Sequence, residues 1–258
     1  MNRGGFMSKL ILSLMLLVST AWADHLDSQF MTTLDGSTLK VYSGGKLIVS
    51  WSDYLRHEIR FGVIGLLDTK GVFDAYRADG TAIVRNYRDT KEFYLRRNFV
   101  AILDTNRVFD AYSMTGNRFI ANWKDVVRAD VGWDHMALLD KDGIFDAYNG
   151  DGTAMVKNYR DTKEFQVTRT YVAILDKNGV FDVYLRNGQR IIANWRDTKK
   201  YVLRDHFIAI LDTAGILQAY NLQGTEVLKQ TGVEDMDAGY DEVKWLKGGV
   251  WHSFGIGH

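Results

Sequence analysis

The chain has 258 residues, 46% hydrophobic and 25% charged, with 32 basic and 32 acidic side chains for a formal net charge of zero, no cysteine and no proline. That balance excludes a disordered chain and a basic nucleic-acid-binding surface, and the lack of cysteine excludes a disulfide framework, a thiolate metal site, an iron–sulfur cluster and a cysteine nucleophile. A proline-free chain suits hairpin ladders in which nearly every backbone N–H is needed as a donor.

The N-terminus reads as a secretory signal. Arg3 and Lys9 precede the apolar run Leu10 to Val18, and Ala21-Trp22-Ala23 supplies the small-residue cleavage pattern before Asp24. The apolar run is about half as long as a bilayer span requires. Cleavage would remove two of the 32 basic residues and leave a mature chain of about −2 with no segment for membrane insertion. The expectation is a signal over 1–23 and a periplasmic or secreted domain over 24–258.

The mature chain repeats itself. Leu-Asp, then Gly, then Phe-Asp-Ala-Tyr recurs with its first aspartate at Asp68, Asp104, Asp140, Asp176 and Asp212, at a step of 36 residues, and a shorter version starts at Asp35. Trp51, Tyr87, Trp123, Tyr159 and Trp195 keep the same step, each followed two residues later by Asp53, Asp89, Asp125, Asp161 or Asp197. Each unit reads as four short strands. An apolar strand such as Phe99-Val100-Ala101-Ile102-Leu103 ends in an Asp-x-x-Gly turn, and a β-branched and aromatic strand such as Val180 to Tyr184 follows. A third strand such as Arg190 to Trp195 comes next, then a last one near Tyr201 to Arg204, with no room for a helix between the turns.

Four-stranded units of this length predict a β-propeller. Units two steps apart are more alike than neighbours: residues 68–103 share 24 of 36 positions with 140–175 and 12 of 36 with 104–139. Six alternating units would close without placing two like units together, so the expectation is a six-bladed ring. Its repeats lie near 29–61, 62–97, 98–133, 134–169, 170–205 and 206–248, with residues 249–256 as a closing strand shared by the two chain ends. A seven-bladed ring and a β-solenoid are the alternatives. The run His135-Met136-Ala137-Leu138-Leu139 with Gly143 and Tyr148 resembles the blades of the regulator-of-chromosome-condensation repeat, and Ala173 to Gly179 is similar to the quinoprotein-dehydrogenase type of blade. Both resemblances imply the architecture and carry no functional residue across.

Chemistry rests on three sets of residues. The series Trp51, Tyr87, Trp123, Tyr159 and Trp195 with its aspartates could stack sugar faces and accept hydroxyl protons, or fill the gaps between blades. Asp74, Asp110, Asp146 and Asp182 stand inside apolar strands and require partners, for which Arg88, Arg160 and Arg196 are near in sequence; at one level of a ring they could instead hold a metal ion or polar ligand at the channel, though Gln218 and Lys40 break the ring. Asp140 to Asp146 partly resembles a calcium hairpin, though its siblings place Lys70, Asn106, Asn178 and Ala214 where Asp142 stands, so no cofactor is expected and calcium is the one alternative. Zinc-protease, nucleophile-elbow and phosphate-loop motifs are absent from the sequence. The reading is an exported, non-catalytic module that binds a glycan, with an envelope-protein scaffold and a propeller hydrolase or lyase as alternatives.

Overall fold

A computed structural model describes residues 29–256; the leader expected over 1–23 lies outside them. The described residues form 26 strands in seven antiparallel sheets, spanning 30–51, 54–87, 90–123, 126–159, 162–195, 198–230 and 235–255. The five middle sheets have four strands each, and the first and last have three.

The second sheet shows how the sequence makes a unit. Its strands are Tyr54–Arg60, Val63–Asp68, Phe73–Arg77 and Ala82–Tyr87, paired in that order. Val63 to Leu67 is an unbroken apolar run because it is covered on both faces. Val63 and Leu67 pack toward the third sheet, while Ile64 and Leu66 pack toward the first, following the two-residue period of a strand. The turn after it is held by Asp68, whose Oδ1 accepts the N–H groups of Lys70 and Val72, both at 2.8 Å. Gly71 closes that turn at φ 79°, a conformation that costs a side-chain-bearing residue energy. Asp140 and Asp176 repeat the arrangement.

The sheets stack in series, and each of the six junctions has its own hydrophobic cluster. At the second junction Phe73 and Phe93 stack with ring centroids 4.6 Å apart. A backbone bond also crosses each junction: Tyr54 N to Ser37 O, Thr90 N to Gly71 O, Val126 N to Arg107 O, Thr162 N to Gly143 O, Thr198 N to Gly179 O and Val233 N to Gly215 O. Among the described residues no such bond joins the seventh sheet to the first.

The six-bladed expectation is therefore corrected to seven sheets. A repeat spacing fixes a period but not the point at which one sheet ends, and the error lies in that phase. The strand near Tyr201 to Arg204 begins the sixth sheet: Thr198–Leu203 pairs with Phe207–Asp212, not with Arg190–Trp195 before it. The chain leaves the fifth sheet through Asn194 and Asp197, whose φ values of 53° and 59° turn it out of the strand path. Cutting every unit one strand earlier converts six repeats into five full sheets and two partial ones. At the C-terminus, Val250–Gly255 pairs with Glu242–Lys247 inside the last sheet. The alternation of unit types predicts a join of last unit to first, for which the described residues show no backbone bond.

Candidate ligand-binding cleft

In an antiparallel meander, alternate connections emerge on opposite faces. The turns between second and third strands, and the crossings from sheet to sheet, lie on one face. The connections between first and second strands, and between third and fourth, lie on the other.

The repeated aromatic and aspartate series belongs to the first of these faces. Trp51, Tyr87, Trp123, Tyr159 and Trp195 are each the last residue of a sheet, partly buried and packed against the cluster of the following junction. The phenol of Tyr87 donates to Asp110 of the next sheet at 2.6 Å, and that of Tyr159 donates to Asp182 at 2.7 Å. Burial, and then these carboxylates, push both phenols far above the ordinary tyrosine range. Trp195 meets Tyr220 edge-on, with centroids 6.2 Å apart. Asp53, Asp89, Asp125, Asp161 and Asp197 all adopt positive φ, between 55° and 60°. The backbone oxygens of these five accept the N–H groups of Thr69, Thr105, Lys141, Lys177 and Thr213. The side chains of Asp53 and Asp125 pair with Lys70 and Lys141 at 2.7 and 2.9 Å.

The strand aspartates are buried and satisfied locally. Asp74, Asp110, Asp146 and Asp182 each accept the N–H of Asn86, Asn122, Asn158 or Asn194, at 2.5 to 2.7 Å. A bulge makes this possible: each asparagine takes positive φ, and the strand register shifts opposite the aspartate. The second oxygen explains why units alternate. In the second and fourth sheets it receives the phenol of Tyr76 or Tyr148 from the same sheet. In the third and fifth it receives Tyr87 or Tyr159 from the preceding sheet, while Arg118 and Arg190 pair with the carboxylate at 2.6 and 2.8 Å. The cationic partners are thus Arg118 and Arg190, not Arg88, Arg160 or Arg196. In the sixth sheet Gln218 and Glu226 hold the corresponding places and bond to each other. In the hairpin compared with a calcium loop, Asp140 accepts the N–H groups of Asp142 and Ile144, and Asp146 accepts Asn158 and Tyr148.

Three cavities open on the other face. The connections from first to second strand carry Phe61, Arg97, Trp133, Arg169 and Asp205 at their tips, again 36 residues apart, with Tyr240 at the tip in the last sheet. Trp133 is 63% exposed, and its ring meets that of Phe61, two sheets away, with centroids 5.8 Å apart. Beside it lies a cavity of about 700 Å³ lined in part by Arg97, Asn98, Asp130, His135 and Arg169. Its floor is tied down from both sides. Arg96 donates to the carbonyls of Val131 and Gly132, and Arg186 grips Asp134 at 2.6 Å. Burial holds His135 below the ordinary histidine value, so it is neutral at neutral pH. Two further cavities, of about 410 and 440 Å³, open on this face at Phe61 to Val63 with Arg77 to Asp79, and at Arg169 and Thr170 with Leu185 to Asn187. The tip residues change chemical type from each sheet to the next, so no single residue type marks them although they keep the repeat step.

A family match bears out the β-propeller class. The chain matches the family described as 10-bladed beta propeller domain over residues 30–248. It belongs to that family. No significant match exists among curated proteins. Among solved structures, this 10-bladed-propeller family member is similar to the computationally designed protein Ika8, at 12% identity over 90% of this chain and 82% of that one, with a TM-score of 0.38. BamB from Moraxella catarrhalis is 14% identical over 89% and 79% of the chains, with a TM-score of 0.37, and Hsv2 from Kluyveromyces lactis is 13% identical over 87% of both, with a TM-score of 0.40. Six blades are thus set aside by the family as well as by the seven sheets. A propeller with short loops on a rigid stack of sheets suits a binding or scaffold role.

Proposed function

We propose that this propeller is an exported, non-catalytic binding module that recognises a glycan at the cleft between the tips of its third, fourth and fifth sheets. One observation carries the reading: Trp133, a large aromatic, stands 63% exposed beside a cavity of about 700 Å³ instead of packing into a core. A flat aromatic face is the surface on which the C–H face of a sugar ring stacks, and Asn98, Asp130 and Thr168 supply donors and acceptors for its hydroxyls. Export rests on the leader expected at residues 1–23.

A glycan array probed with the purified chain tests this, with Trp133→Ala, Trp123→Ala and Trp195→Ala beside it. The expected result is binding that Trp133→Ala abolishes and the other two retain. Loss with Trp123→Ala or Trp195→Ala alone would move the site to the repeated aromatic series, and an array without any bound glycan would sink the reading. A second reading, an envelope-protein scaffold, is favoured by Val250, Trp251 and Phe254, which lie exposed on the last strand. It predicts a partner whose capture is lost with Trp251→Ser and kept with Trp133→Ala.

A further inference from the structure

The arginines of the cleft face fall into two groups. Arg96, Arg186 and Arg204 are spent on structure: each donates to carbonyls of a neighbouring connection, and Arg186 also pairs with Asp134. Arg97 and Arg169 are different. Both are exposed, both line the cavity beside Trp133, and neither makes a hydrogen bond or ion pair among the described residues. They hold the same loop position in the third and fifth sheets, on either side of the tryptophan tip of the fourth.

The surrounding charge leaves the cavity with an excess of one positive charge. The cavity has two acids, Asp130 and Asp134, and Asp134 is already matched by Arg186 at 2.6 Å. His135 adds no charge at neutral pH. One carboxylate, Asp130, therefore faces two uncommitted guanidinium groups. A guanidinium presents parallel N–H donors in a fork that matches a carboxylate, and such charge-assisted pairs are roughly twice as strong as neutral ones.

We propose that the cleft takes an acidic sugar, a uronate whose ring stacks on Trp133 while its carboxylate is received by Arg97 and Arg169. This rests on the glycan reading above and names its substrate class. The alternative role for two exposed arginines, solvation alone, gives no reason for both to stand at the mouth of one cavity across an exposed tryptophan.

Titration of the full chain with a panel of uronate oligosaccharides and their carboxyl-reduced counterparts tests the proposal. The acidic forms are expected to bind about 10-fold or more tightly than the reduced ones, with Arg97→Gln and Arg169→Gln each weakening the acidic forms about 10-fold and leaving the reduced forms unchanged. Arg97→Lys, which keeps the charge and loses the fork, should fall between. Added salt should weaken only the acidic forms. Equal binding of acidic and reduced sugars, with Trp133→Ala still abolishing both, would overturn the acidic class and leave the glycan reading standing. Acidic binding indifferent to both arginine variants would also overturn it. No binding of either form, together with an empty array, would remove the glycan reading itself. The variants alter side chains that bond to nothing among the described residues, so circular dichroism and melting should match the parent chain.

Discussion

The two faces of this propeller use the same repeat for opposite ends. On the turn face the series is taken up by structure: Tyr87 and Tyr159 bond to buried carboxylates, Asp53 and Asp125 pair with lysines, the three tryptophans pack into the junction clusters, and all five crossing aspartates hold the positive φ of the crossings. On the cleft face the repeated position holds side chains that differ from sheet to sheet, and Trp133, Arg97 and Arg169 point to solvent instead of to one another. Regularity marks the residues that make the stack, and departure from it marks those left free for a ligand.

The largest way to break this comparison is alkaline titration. Burial, and for several a neighbouring carboxylate, raise the phenols of Tyr76, Tyr87, Tyr94, Tyr148, Tyr159, Tyr171 and Tyr201, and Tyr220 is pushed up to about 12. In the unfolded chain these groups release protons near 10, so above that pH the unfolded state binds fewer protons than the folded one and stability falls. The stabilising contribution is complete below pH 10. Tyrosinate absorbance should therefore rise together with loss of the fold, in one transition; independent titration at pH 10 in a folded chain would show the phenols to be open.

Next in size is Asp182→Ala. It strands the Tyr159 phenol, the Asn194 N–H and Arg190 at once, and is expected to cost about 3–5 kcal/mol in chemical denaturation. Trp123→Ala should cost about 2–3 kcal/mol through lost packing at the third junction, whereas Trp133→Ala should leave the denaturation midpoint close to that of the parent. A larger loss at Trp133 than at Trp123 would reverse the assignment of the two faces. The smallest effect belongs to Lys141→Ala: its exposed pair with Asp125 is screened by solvent, and the midpoint should not move measurably.

Much of the fold was legible in the sequence. The period, the Asp-x-x-Gly turns and the apolar strands follow from local chemistry, and each appears where the spacing puts it, as Asp176 to Gly179 shows. The phase was not legible, because a strand after a crossing can hydrogen-bond with the sheet behind it or the sheet ahead. The choice is made by two residues at positive φ, such as Asn194 and Asp197, that look like ordinary turn formers. The partners of the strand aspartates were also hidden: the bulge at Asn122 reshapes the strand beside Asp110, and Arg118, eight residues along, becomes the counter-charge. At the cleft the 36-residue step was available, but Phe61, Arg97, Trp133 and Arg169 alternate aromatic and arginine with the two-unit period, so no single residue type announces the series.

Stacking in series has a consequence for how the molecule opens. Among the described residues, each of the five central sheets is clasped by a neighbour on both sides, while the first and last are each held through one bonded junction. Amide protons of Phe30 to Trp51 and of Asp235 to Gly255 should exchange with solvent by fraying of a single sheet, at a lower free energy than global unfolding. The third to fifth sheets, which support the cleft, should exchange last, so the recognition surface persists while the first and last sheets breathe.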